Sequence, residues 1–202
     1  IKIADPAYNA DKIIEYMAQA KELDVSLLVF PELSVTGYTC GDLFASRTLI
    51  CAAEEALARI REASKGFGAL VFVGVPLRHH GKLYNCAVAV CGGEILGVVP
   101  KKHLPNYGEF YEKRNFTAAP EGVDRISLLG EDVPFGTNLI FRALNMPEFS
   151  VAAEICEDLW VVTPPSLFHA AAGAKIIVNL SASNEIIGKA DYRRALVTGQ
   201  SA

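Results

Sequence analysis

Apolar and polar positions follow two different periods along the chain, and the switch between them marks its elements. Ile13, Ile14, Met17, Ala18 and Ala20 recur at helical spacing, with Asn9 as the expected N-cap. Val25 to Phe30 is a continuous apolar run stopped by Pro31, the pattern of a buried strand. The alternation repeats: a helix is expected over about Thr48 to Lys65, with Ile50, Ala53, Leu57 and Ile60 on one face, then a strand over Ala69 to Val75. Turns at His79–Lys82 and Cys91–Glu94 separate three apolar runs ending at Val99, which describes an antiparallel meander. Weaker strands are expected near Asp124–Leu129 and Asn138–Leu144, and a stronger one from Phe149 to Ile155. Thr163-Pro164-Pro165 starts a helix that Gly173 closes; Lys175 to Leu180 reads as another strand, and a last helix begins near Ala190. The order predicts an α/β protein with a mixed sheet and helices on its outer faces.

Two stretches lack a period, Glu32–Asp42 and the polar, aromatic segment from Pro100 to about Val123. Loops as long as the second are usually functional within a domain. The composition narrows what that function is. The chain has 202 residues, 51% apolar and 21% charged, which suits one folded domain and argues against disorder. A net charge of −4 without a basic cluster argues against nucleic acid as a partner. No apolar run reaches the roughly 20 residues of a membrane helix, and there is no signal-peptide pattern. The five cysteines form no CxxC and are odd in number, so reduced thiols in the cytoplasm are expected. The chain opens at Ile1 without an initiator Met and stops in an expected helix, so residues 1–202 read as a domain incomplete at both ends.

Three strand ends carry reactive groups. Glu32 follows Phe30-Pro31, Lys101 and Lys102 follow Val98-Val99-Pro100, and Cys156 follows Ile155. In an α/β sheet such positions open onto one crevice. A thiol needs a base or a nearby cation to attack at neutral pH. Glu32 is suited to take its proton and a lysine to stabilise an oxyanion, a set that fits acyl transfer from an amide. The plainer readings are a turn acid, surface lysines and a packed thiol. Cys51, Cys86 and Cys91 read as packing, and Cys40, in the loop after Glu32, as a minor accessible rival. His103 is the chemical rival as a Cys–His partner, His169 reads as packed in its helix, and His79 and His80 as solvated in a turn. No metal-ligand spacing and no Gly-rich phosphate loop is present.

Phe30-Pro31-Glu32, Lys101-Lys102-His103-Leu104 and Glu154-Ile155-Cys156-Glu157-Asp158, in this order, resemble the three motifs of the nitrilase superfamily of carbon–nitrogen hydrolases. The resemblance implies an αββα sandwich and a Glu32–Lys101–Cys156 triad, with Lys101 rather than Lys102 as the lysine. Pro31 to Tyr38, Asp42-Leu43-Phe44, Leu104 to Glu112 and Asn179 to Ser183 are similar to the glutaminase domains of the glutamine-dependent NAD synthetase family. That similarity implies L-glutamine as substrate, Tyr107 and Phe110 in its pocket, and Ser183 and Lys189 at its amino-acid head group. The family often has arginine where Lys189 stands, and lysine lacks that bidentate fork. Glu109 and Glu157 are placed to orient Lys101 or the ligand. From the residues alone, Tyr107 and Phe110 read as loop packing, Ser183 as a turn serine, Lys189 as surface charge, and both acids as solvated.

The resemblance further implies that the glutaminase step needs no metal or cofactor. ATP, Mg and deamido-NAD are expected only for a synthetase domain, which these residues do not include and which would take up the ammonia. A homo-oligomer is expected as well. The alternatives are another amidase or carbamoylase of the superfamily, or a catalytically silent interaction domain.

Overall fold

Residues 1–201 are described by a computed structural model. Asp5 caps the first helix, α1 (Pro6–Glu22), by accepting from the Tyr8 N–H. Asn9, expected as that cap, lies inside the helix and is buried. Its side chain bonds Lys2 and the Val35 carbonyl, tying the N-terminal segment to the loop after Glu32. Ala10, Ile13, Met17 and Ala20 form the buried stripe, while Ala18 faces out.

Strand β1 (Leu27–Val29) is shorter than its apolar run and pairs in parallel with β2 (Leu70–His79). Between them lies α2 (Arg47–Ala63), whose Leu49, Ile50, Ala53, Leu57 and Ile60 are buried. The meander follows as β3 (Lys82–Cys91) and β4 (Glu94–Pro100), both antiparallel to their predecessors. β5 (Val123–Leu128) and β6 (Glu131–Gly136) form a hairpin, and β6 joins the free side of β4 in parallel, giving the order β1-β2-β3-β4-β6-β5. A second sheet holds β7 (Phe141–Arg142), β8 (Ser150–Ile155) and β9 (Ile176–Leu180), with β8 central and parallel to β9. Helix α3 (Pro165–Ala171) connects the last two strands, and α4 (Lys189–Gln200) follows β9.

β2 is buried on both faces, and its alternation sorts side chains into two cores. Val71, Val73, Val75 and Leu77 pack with the apolar faces of α1 and α2. Leu70 and Phe72 turn the other way, toward Val151, Ala153 and Ile155 of β8 and Val178 and Leu180 of β9. Helices outside, two sheets inside: the αββα sandwich is the observed architecture. None of the described helices is long and apolar enough to cross a membrane.

Candidate active site

The loop after β1 is pinned onto β2 at a glycine. Gly74 N donates to Ser34 Oγ (3.1 Å), and Val35 N donates to the Gly74 carbonyl (3.1 Å). A Cβ at Gly74 would lie 2.2 Å from Leu33 N and 2.5 Å from the Pro31 carbonyl, so only glycine lets the loop lie this close. Leu33 takes a left-handed φ of +49° to complete the turn. Glu32 is thereby held with its side chain fully buried.

Lys101 follows β4, its N–H on the Asn85 carbonyl of β3 (2.8 Å), and its side chain is also fully buried. It donates to Glu32 Oε1 (2.6 Å) and to Glu112 Oε1 (2.6 Å), bridging two carboxylates. Glu32 Oε1 also accepts from Asn85 Nδ2 (2.7 Å), and Oε2 accepts from Ala182 N (3.0 Å). Glu112 Oε1 accepts from Tyr38 Oη as well (2.7 Å). Burial pushes Glu112 above the usual carboxylate range, against the pull of Lys101. Burial also disfavours the Lys101 cation, but the two carboxylates outweigh it and hold the ammonium above the usual lysine range. Lysine carries three donors, and two are committed here to carboxylates.

Cys156 opens a single 3₁₀ turn, Cys156–Leu159, after β8. Its φ of +46° is a left-handed conformation that costs a β-carbon residue about 1 kcal/mol. Asp158 holds that turn. Its carboxylate accepts from Ile155 N (3.1 Å), His103 N (2.8 Å) and Lys102 N (3.4 Å), fastening the end of β8 to the segment that follows Lys101. Burial, opposed by these N–H groups, raises its pKa to about 7. An amide at this position would set its own NH2 against one of those donors. Asp158→Asn is therefore expected to cost about 1–3 kcal/mol in urea unfolding; unchanged stability would mean that the clamp does not hold in solution.

The Cys156 thiol is buried and accepts from Ser181 Oγ (3.4 Å), beside the Ala182 N–H that meets Glu32. Burial and the Glu32 charge push it up to about 11, with Lys101, Ser181 and Ala182 pulling the other way. Burial thus favours the neutral thiol beside the hydrogen-bonded Glu32–Lys101 pair.

Among the described residues no imidazole bonds the thiol. His103 gives its backbone N–H to Asp158, its Nε2 is buried without a hydrogen-bond partner, and burial lowers its pKa. Cys40, the expected accessible rival, is buried and donates to the Thr36 and Gly37 carbonyls. Of the thiols read as packing, Cys86 is fully buried, Cys91 half-buried and Cys51 exposed on α2. His169 packs as expected, with Nε2 on the Thr137 carbonyl (2.7 Å). His79 is buried rather than solvated.

The aromatic loop forms a rim. Tyr107 Oη donates to Glu157 Oε2 (2.8 Å), and Phe110 lies edge-on to both Tyr107 (5.9 Å) and Tyr38 (6.4 Å). Glu109 does not reach Lys101; it accepts from Asn184 Nδ2, and Glu157 is committed to Tyr107. Lys189 donates to Ser183 Oγ (2.6 Å) and to Asn184 Oδ1, and lies 5.3 Å from the Trp160 ring. Clefts of about 340 Å³, walled in part by Lys102, His103 and Glu157, and of about 70 Å³, walled in part by Tyr38, Glu109 and Glu112, flank this loop. Sequence reasoning missed Glu112, Asn85, Ser181 and Asp158. For Asn85 a signal existed, a lone amide inside the apolar run Leu83–Cys91.

The family model for carbon–nitrogen hydrolases matches residues 1–198. The glutamine-dependent NAD(+) synthetase of Mycobacterium tuberculosis is 42% identical over 200 residues, 99% of this chain and 30% of that protein. That of Saccharomyces cerevisiae is 32% identical over 199 residues, 94% of this chain and 27% of its own length. The chain spans about 30% of the length of such curated relatives. Among solved structures, a glutamine-dependent NAD(+) synthetase from Cytophaga hutchinsonii superposes with a TM-score of 0.83 at 32% identity, over 98% of this chain and 32% of that one. An amidase of the nitrilase superfamily from Nesterenkonia shares the fold, with a TM-score of 0.74 at 21% identity over 98% of this chain and 67% of its own.

Proposed function

The chain belongs to the carbon–nitrogen hydrolase family, and from that premise we propose that it hydrolyses the side-chain amide of L-glutamine through a thioester on Cys156. The observation that carries this reading is the buried constellation itself. A carboxylate and an ammonium 2.6 Å apart at two strand ends lie close enough to the buried thiol at a third for their charges to act on it. In the scheme, Glu32 takes the thiol proton as Sγ attacks the carboxamide carbon. Lys101 donates its third N–H to the oxyanion that forms. The tetrahedral adduct collapses, the C–N bond breaks, and Glu32 returns the proton to the departing amine, releasing ammonia. Glu32 then deprotonates water, which attacks the thioester; the C–S bond breaks, glutamate leaves and the thiol regains its proton.

Glu112 and Asn85 act as positioning residues, the first on Lys101 and the second on Glu32. Tyr107, Phe110 and Glu157 frame the entrance, and Ser183 and Lys189 offer a hydroxyl and a cation to the α-amino acid end of the substrate. The similarity to NAD(+) synthetases supports delivery of the ammonia to a synthetase domain, where ATP, Mg and deamido-NAD would be used. Hydrolysis of the amide draws on none of these.

The test is peptide mapping after treatment with a glutamine-like electrophile, with and without competing glutamine. One adduct is expected on Cys156, and saturating glutamine should slow its formation about tenfold or more while acetamide or propionamide should not. Protection by the aliphatic amides instead would move the reading to a different amidase. Labelling spread over Cys51 and Cys91 without protection would remove the enzymatic reading of this site.

A further inference from the structure

Away from the triad, the tip of the β2–β3 hairpin holds a cluster that the reaction does not use. His79 ends β2, His80 and Gly81 make the turn with left-handed φ values of +47° and +74°, and Lys82 begins β3. His79 and Lys82 pair three residues beyond the Pro76–Asn85 pair that adjoins Lys101, so the cluster stands roughly 10 Å along the strands from the site. Across from the tip lies Asp124 of β5. Its Oδ2 takes both imidazoles, His79 Nε2 at 2.9 Å and His80 Nε2 at 3.2 Å, and the three donor atoms lie within 4.8 Å of one another.

We propose that His79, His80 and Asp124 form a divalent transition-metal site, with water completing the coordination. Two nitrogens and one carboxylate oxygen are the donor set that zinc, nickel or copper(II) accepts, whereas magnesium and calcium prefer oxygen alone. The spacing fits. A tetrahedral ion with bonds of about 2.1 Å sets its donors about 3.4 Å apart, so the two Asp124 edges need to open by only a few tenths of an ångström, and the third edge, between the imidazoles, is at most 4.8 Å and closes with a small turn of the exposed His80 ring. The donors are also held from behind. His79 is buried with its ring against Phe135 (4.7 Å between centroids), and the ring of its neighbour His80 lies tilted against it at 3.9 Å. The other oxygen of Asp124 accepts from Arg125 N (2.8 Å), which turns Oδ2 toward the imidazoles, the kind of outer contact that orients metal ligands. The side chains of His80 and Asp124 are 74% and 49% exposed, leaving an entry path and room for a water ligand. A bound ion would brace the end of β2 and its turn into β3 against β5.

The experiment is calorimetric titration of the protein with Zn²⁺, paired with Co²⁺ absorption spectra, in a Cys51→Ser background that removes the exposed thiol as a competing ligand. One equivalent is expected to bind reversibly by chelator. His80→Ala and Asp124→Asn, both at exposed positions and both checked for an unchanged circular-dichroism spectrum, should each weaken binding by roughly tenfold or more. No saturable binding at millimolar free metal, or binding of equal strength in both variants, would overturn the assignment.

Discussion

Replacing Cys156 with alanine is expected to lower ammonia release from glutamine by about 10⁴-fold or more while leaving the fold in place. The thiol is the side chain that attacks the amide in the scheme, and its neighbour Ser181 lies on a different loop with its hydroxyl directed at Sγ. Alanine keeps the β-carbon, so the strain of the left-handed backbone at φ +46° is the same before and after. The lost sulfur leaves a small gap in a buried position, which costs about 1 kcal/mol. A coupled ammonia assay beside a thermal melt separates the two effects; release within tenfold of the unsubstituted protein would sink the nucleophile assignment.

The raised thiol adds a pH signature. With a folded pKa of about 11 above the ordinary value near 8.5, alkylation by a simple electrophile should be slow at pH 7. It should quicken toward pH 11, at close to tenfold per unit. By linkage, the folded state holds this proton more tightly than the unfolded chain. Its stabilising effect is therefore complete below about pH 8.5 and is lost as pH rises toward 11.

Much of the sandwich was legible because its strands are buried on both faces and read as mostly apolar runs; β2, β3 and β8 are of this kind, with Asn85 and Glu154 as the internal polar exceptions in the last two. β6 was not legible, since Pro134 and Gly136 interrupt it and Asp132 and Glu131 give it a polar start. What places it as a strand is a tertiary fact, the parallel pairing of Phe135 with Val98. The three strand-end groups were visible because strand ends are visible. Their partners were not. Glu112 and Asp158 are acids in polar surroundings along the chain, and one-dimensional reasoning assigns such acids to solvent. They are buried because Lys101 and a set of backbone N–H groups await them across the fold. His79 misled for the same reason: in sequence it is a turn residue, but in space it is covered by Phe135 and faces Asp124.

The same logic makes Lys101→Met the substitution with the largest expected cost to stability. Methionine comes within one atom of the side chain's length and packs well, but it removes the cation that bridges Glu32 and Glu112. Two buried carboxylates then face each other with only neutral donors, Asn85, Ala182 and Tyr38, to hold them. Breaking a buried pair in this way costs about 3–5 kcal/mol, far more than the pair contributes when it is intact. The pH dependence distinguishes this cause from simple repacking. Glu112 already binds its proton more tightly in the folded state than an ordinary glutamate does, and loss of the cation raises that affinity further. A carboxylate with a raised folded pKa favours the fold below its unfolded value, about 4.3, and works against it once both states ionise. The deficit of the variant should therefore be greatest near neutral pH and shrink as the pH falls toward 4. Lys101 has the complementary behaviour: its raised pKa stabilises the unsubstituted protein up to the ordinary lysine value of about 10.4, and that advantage fades above it. Urea unfolding of both proteins across this range should give two stability curves that part in the middle and approach each other at both ends. A constant offset at all pH values would mean that Lys101 stabilises by packing alone, and that the two carboxylates are not ionised partners of its ammonium.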